Sequence, residues 1–216
     1  MGDTLSTADL DAWVRSYAAR TTDQRDHLNT LDAAIGDADH GSNMHRGLAA
    51  AVAALDDATP ESPAALLKKV GMTLISTVGG ASGPLFGTLF LRMGTALGDA
   101  DPATPALMAT ALRAGLDGVV TRGKAVAGDK TMYDALAPAV QALDDALASA
   151  TDLAPALHAA AAAGAAGRDA TEAMPARKGR ASYLGERSVG HVDPGAASVV
   201  LLLETLAQLA APAPPT

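Results

Sequence analysis

The 216-residue chain contains no cysteine. That absence excludes disulfides, thiolate metal sites and thiol nucleophiles together, and it suits a reducing compartment, so a cytoplasmic location is expected. Aromatic residues are nearly missing too, at 3%, although 49% of the chain is hydrophobic. The core has to be built from Ala, Leu and Val, small side chains that favour helices and let them approach closely. Basic residues are few and scattered, 16 against 24 acidic ones, for a net charge of -8. No massed positive surface is available for nucleic acid or for an anionic membrane, and neither is expected as a partner. No N-terminal stretch joins a basic region to an apolar run in the manner of a secretion signal. The most apolar stretch, "AASVVLLLETLAQLAA", carries Glu204 and Gln208 and reads as a buried helix rather than a membrane span.

What is present is helical periodicity. Leu66, Leu67, Val70, Leu74 and Val78 recur at helical spacing, as do Leu112, Leu116 and Val119, then Leu136, Val140, Leu143 and Leu147, with no competing strand-like alternation. Ser6 or Thr7 can cap a first helix, and "TPESP", "GDADPATP" and "SATDLAP" separate later ones. The alanine-rich run from His158 remains a good helix with small packing residues. These signals predict an all-α fold of about eight helices joined by short loops, forming one domain over residues 1–210 with a frayed tail at 211–216. The segment from Met174 to Gly195 resists a long-helix reading. Its length and its mix of Arg, Lys, Glu, His and Asp mark it as a candidate functional loop.

The densest chemistry is "LDAAIGDADHGSNM", residues 31–44. Asp32 closes a helical stretch, Gly36 breaks it, and an extended Asp37-Ala38-Asp39 segment would turn both of its carboxylates to one side. Converging carboxylates repel unless a cation neutralises them, and hard oxygen ligands without thiols favour Mg²⁺ over zinc. One aspartate could instead cap a helix beginning near Asn43, but three exceed what a cap needs. The spacing is not that of a calcium-binding helix-loop-helix. His40 is given a backbone contact only, while Gly41, Ser42 and Asn43 sit where free amides at a helix start would meet a phosphate.

Weaker candidates follow along the chain. "TVGGASGPLFG", residues 77–87, offers a glycine turn and Ser82 as a cap, to be read as a phosphate cradle or, on these residues alone, a tight interhelical turn. "GVVTRGKA", residues 118–125, imitates a phosphate loop, but Ala125 stands where Ser or Thr would hold Mg²⁺ and a helical pattern precedes it. Gly123 and "GDKTMYDAL" can close over a flat ligand, with Met132 either an adaptable contact or core. Arg180 can fork onto phosphate or remain an ordinary surface arginine. Asp193 reads as an N-cap and Pro194 as the first residue of another helix start.

Taken in order, "IGDADHGSNM", "GGASGPLFG", "GDKTMYDAL" and "GRASYLGERSVGHVDPGAAS" closely resemble the L subunits of phosphotransferase-system-linked dihydroxyacetone kinases, across residues 31–203 and without departure inside the motifs. The resemblance implies an antiparallel barrel of eight helices with a nucleotide site in loops at one end. It implies a tightly bound ADP and two Mg²⁺ ions, the metals held by Asp32, Asp37 and Asp39. His40, Gly41, Ser42, Asn43, Ala81 and Ser82 would line the phosphate region, and Gly123, Met132, Arg180, Asp193, Pro194 and Gly195 would enclose the rest. It further implies two partners: an M subunit whose phosphohistidine charges the ADP, and a K subunit carrying dihydroxyacetone. A homodimer of the free chain remains open. The alternatives kept beside it are the nucleotide domain of an ATP-dependent ketose kinase and a nucleotide-loaded module docking on a transcription activator. In fused kinases the substrate domain shares the chain, and 216 residues leave little room for one.

Overall fold

The computed structural model describes residues 4–149 and 151–210. The expected tail at 211–216 lies outside them. The described residues form α1 (Thr7–Asp23), α2 (Arg25–Ile35), α3 (His40–Asp57), α4 (Pro63–Thr77), α5 (Ser82–Leu97), α6 (Pro105–Gly123), α7 (Met132–Ala148), α8 (Leu153–Ala170) and α9 (Pro194–Ala210). Short 3₁₀ segments cover Thr171–Ala173 and Arg180–Ser188. The all-α expectation holds. The helix count depends on Gln24, whose ψ of 5° separates α1 from α2. Among the described residues, the one extended pairing is a bridge between Leu5 and Ala103, which ties Leu5 to the α5–α6 connection.

The helices begin where local chemistry dictates. Ser6 caps α1 in a reciprocal capping box with Asp9, and Ser62 and Thr104 cap α4 and α6, each followed by proline in the first turn. Thr131 and Asp134 form a second capping box at α7. From α2 to α9 each helix packs on the next, α8 on α9 included although residues 171–193 lie between them in sequence, and α9 packs back on α1 to close the ring. One large apolar cluster fills it, with Trp13, Tyr17, Phe86 and Phe90 as its bulkiest members among Leu, Val and Ala. Trp13 spends its indole N–H on the Leu202 carbonyl at 3.0 Å, so its polar handle is satisfied inside the core. The scarcity of aromatics shows its purpose between α4 and α5: a Cβ on Gly71 would lie 2.7 Å from the Gly87 carbonyl oxygen, and one on Gly87 2.7 Å from that of Gly71. Backbone meets backbone there, and no side chain could be interposed.

Up-and-down order has one further consequence. The N-termini of α3, α5, α7 and α9 and the C-termini of α2, α4 and α6 converge on the same end of the ring.

Candidate functional site

At that end lies a cavity of about 330 Å³ whose wall includes Asp32, Asp37 and Asp39, the 79–82 turn, Gly123, Met132, Arg180 and the 193–195 segment. Four stretches separated by up to 160 residues thus share one wall. Of the candidate residues named from sequence, Gly41 and Ser42 do not reach it. A Cβ on Gly41 would lie 2.1 Å from the Arg25 carbonyl oxygen, so this glycine serves the α2–α3 contact. Ser42 exchanges hydrogen bonds with Asn29, its N–H donating to Oδ1 at 3.0 Å and its Oγ accepting from Nδ2 at 2.9 Å. One residue of a helix turn rotates a side chain by about 100°, which is enough to carry these two off the cavity face.

The acidic bend is built differently from the extended segment expected. Ala38 adopts the left-handed region, φ 63°, so the chain folds over on itself between Asp37 and Asp39. Asp32, buried in the last turn of α2, accepts the backbone N–H groups of Asp39 at 2.9 Å and His40 at 3.2 Å through Oδ2. Gly36 is required because a Cβ there would lie 2.0 Å from Asp32 Oδ1. By this turn, and not by strand alternation, Asp32, Asp37 and Asp39 bring one carboxylate oxygen each to within 4.8 Å of one another. Helix α3 starts at His40, three residues earlier than expected, and Asp39 occupies its N-cap position without making the side-chain cap bond. Capping therefore does not account for these carboxylates. Their nearby positive partner is Arg180, whose Nη2 lies 3.1 Å from Asp37 Oδ2. A set of three hard oxygen donors with one guanidinium for balance fits a divalent cation of the Mg²⁺ kind.

The four helix starts divide into two classes. Neither α3 nor α5 has a side-chain cap; Ala81, not Ser82, holds the N-cap position of α5, and Ser82 is the first helical residue. At α5 the first-turn amides are left for a ligand, as at anion-binding helix ends, whereas at α3 the amides of His40 and Ser42 are already taken by Asp32 Oδ2 and Asn29 Oδ1. Asn43 spends its side-chain oxygen on Arg46 Nη2 at 2.7 Å, and its amide group joins the wall. His40 does more than a backbone contact: its buried ring lies 3.1 Å from Ser82 Oγ through Nδ1 and 2.7 Å from Ser198 Oγ through Nε2. Burial pushes this imidazole down to about 4, so it is neutral at pH 7.

By contrast α7 and α9 cap themselves. Asp134 Oδ2 accepts from Thr131 N–H at 2.8 Å, and Asp193 Oδ2 accepts from Ala196 N–H at 2.7 Å. The wall also carries apolar side chains, Ile35 from α2, Leu85 and Phe86 from α5, Val119 from α6 and Met132 from α7. Met132 is both core and wall, at 4% exposure. Burial raises the Asp193 carboxyl to about 7. Sequence reasoning passed over Lys130, which is 1% exposed beside this wall, with φ 61°. Its Nζ donates to the Thr171 carbonyl at 2.6 Å and to that of His191, tying the α6–α7 connection to both ends of the α8–α9 connection. Burial lowers its pKa from the ordinary lysine value. Its position inside "GDKTMYDAL" was the available signal. The phosphate-loop imitation at 118–125 lies at the C-terminal end of α6, where the dipole is negative and Lys124 is left-handed, φ 50°.

Comparison with known proteins agrees with this architecture. The chain belongs to the DAK2-domain family, whose model matches residues 34–208. It is 43% identical over 203 residues, 94% of this chain and 97% of the relative, to the ADP-binding subunit DhaL of PEP-dependent dihydroxyacetone kinase from Escherichia coli (strain K12). The crystal structure of the dihydroxyacetone kinase of C. freundii, native form, matches with a TM-score of 0.72 and 30% identity over 93% of this chain and 34% of that one. Its complex with AMP-PNP and Mg²⁺ matches with a TM-score of 0.70 and 29% identity, over 92% of this chain and 33% of that one. The chain spans about a third of that solved kinase. Among the described residues, no helix is long and apolar enough to cross a membrane.

Proposed function

We propose that this chain is the ADP-binding phosphotransferase subunit of a PEP-dependent dihydroxyacetone kinase, holding its nucleotide through two Mg²⁺ ions at the acidic bend. The observation that carries this reading is the make-up of the cavity: one part of its wall is a three-carboxylate turn with the uncapped start of α5, and another part carries apolar side chains. A diphosphate with its metals fits the first half, and a flat base fits the second. Tightly held ADP would carry a phosphoryl group from a phosphohistidine of an M partner to dihydroxyacetone on a K partner.

In this role the chain's own groups position and neutralise, and none needs to act as a nucleophile. Asp32, Asp37 and Asp39 would hold the metals, and the backbone amides at the start of α5, with Asn43 and Ser82, would hold phosphate oxygens. Arg180, displaced from Asp37 by a metal, would gain freedom to meet the transferred group. Ala81, Gly123, Met132 and the 193–195 segment would enclose the nucleoside.

The test begins with denaturing the purified protein and taking the ultraviolet spectrum and mass of what it releases; ADP is expected. The protein combined with K and M subunits and a phosphoryl donor should then form dihydroxyacetone phosphate. No nucleotide and no product from well-folded components sinks the reading. Similarity to a kinase solved with AMP-PNP and Mg²⁺ favours a second reading, a nucleotide domain that exchanges ATP. Rapid loss of nucleotide on dialysis would select it.

A further inference from the structure

Ser198 lies one turn into α9 and is fully buried, at 0% exposure. A buried hydroxyl proton needs an acceptor. Thr205, further along the same helix, back-bonds to the Leu201 carbonyl at 2.9 Å. Ser198 makes no such bond; among the described residues, the partner its Oγ reaches is His40 Nε2, 2.7 Å away. If that hydroxyl donates, Nε2 is the acceptor nitrogen of the ring and the imidazole proton sits on Nδ1. Nδ1–H then donates to Ser82 Oγ at 3.1 Å. Ser82 accepts there, and its own hydroxyl hydrogen stays unspent at the uncapped start of α5, on the cavity wall. The opposite tautomer would draw the Ser82 hydrogen onto Nδ1 and leave oxygen lone pairs facing an anion.

We propose that Ser198 is a positioning residue which, through the Nδ1–H tautomer of His40, sets Ser82 as a hydrogen-bond donor toward the bound phosphate. The device joins α3, α5 and α9 across the cavity and accounts for a buried serine and a buried histidine hydrogen-bonded to each other. It rests on the nucleotide reading above.

Nitrogen-15 NMR of the imidazoles in the free wild-type protein, with the His40 signal assigned through its loss in His40→Gln, is expected to show the Nδ1–H pattern. Ser198→Ala should mix the tautomers and weaken binding of ADP with Mg²⁺ roughly tenfold, whereas Ser198→Thr, which keeps the hydroxyl, should restore both. Ser82→Ala should cost about as much, and the Ser82→Ala/Ser198→Ala double variant little more than either alone. A packing role would lower the melting temperature of Ser198→Ala without moving the tautomer or producing this non-additivity. An Nε2–H pattern in the wild type, or additive losses in the double variant, overturns the proposal. Wild-type protein that binds no ADP overturns the nucleotide reading and this proposal together, while binding that survives Ser198→Ala unchanged overturns only this one.

Discussion

The two halves of the cavity are made from the same parts, helix starts on short connections, yet they are finished in opposite ways. At α5 the start is uncapped, and at α3 the N-cap residue makes no cap bond and the start leans on the Asp32 carboxylate; at α7 and α9 the starts are sealed by Thr131, Asp134 and Asp193. A capped start is stable by itself and presents little field to a ligand, while an uncapped start stores unsatisfied amides that an anion can satisfy. The difference assigns polarity to a ligand: charged end at the acidic bend, apolar end by α7 and α9.

The contrast can be broken most severely at Asp32. It both offers a metal oxygen and holds the amides of Asp39 and His40, so Asp32→Ala removes a ligand and loosens the turn. Phosphotransfer is expected to fall by roughly a thousandfold or more, measured as dihydroxyacetone phosphate formed in the reconstituted system. A loss below tenfold would refute the metal role. Gly36→Ala comes next, because its Cβ must displace the Asp32 carboxylate. A cost of about 1–3 kcal/mol in urea unfolding is expected, with Mg²⁺ affinity lost in calorimetry.

In the other half, Lys130→Met removes two charge-assisted bonds and releases the α6–α7 connection from both ends of the α8–α9 connection. It should weaken ADP binding by roughly one to two orders of magnitude while metal binding to the free protein persists. Equal damage to both would show that the halves are not separable.

The halves also differ in how they respond to pH. His40 is pushed down to about 4 from an ordinary value near 6.5, so the unfolded chain binds the extra proton and stability falls as pH drops from about 6.5 toward 4. Asp193 is pushed up to about 7 from near 3.9, so the folded chain binds the extra proton and stability rises as pH drops from about 7 toward 4. In metal-free urea titrations, Asp193→Asn should leave the His40 slope and His40→Gln the Asp193 slope, of opposite sign. Matching slopes would contradict the assignment. Smallest of all, Tyr183→Ser should change stability by less than about 0.5 kcal/mol, since Tyr183 is 87% exposed.

Much of this was legible in the sequence, and the failures are instructive. The caps at Ser6 and Asp193 and the breaks at "TPESP" and "GDADPATP" were legible locally and the structure uses them, whereas Ser82, read as a cap, is the first helical residue of α5. The acidic bend was found for a sound reason, excess carboxylate, but its geometry was not: a left-handed Ala38 has no sequence signature, since alanine ordinarily avoids that region. The start of α3 was set three residues late because His40 and Gly41 carry no strong helix signal. Lys130 and Ser198 were overlooked because their partners, Thr171, His191 and His40, lie 41 to 158 positions away.

The sequence by itself determined that this chain is helical, where most helices start, and which residues could carry negative charge to a metal, because each of these depends on spacing within one or two turns. Tertiary structure alone decided that four helix starts share one cavity, that the α5 start is left open, and that a histidine joins serines from distant parts of the chain. Those choices depend on how helices close into a ring, and ring closure is a property of long-range packing that no local window contains.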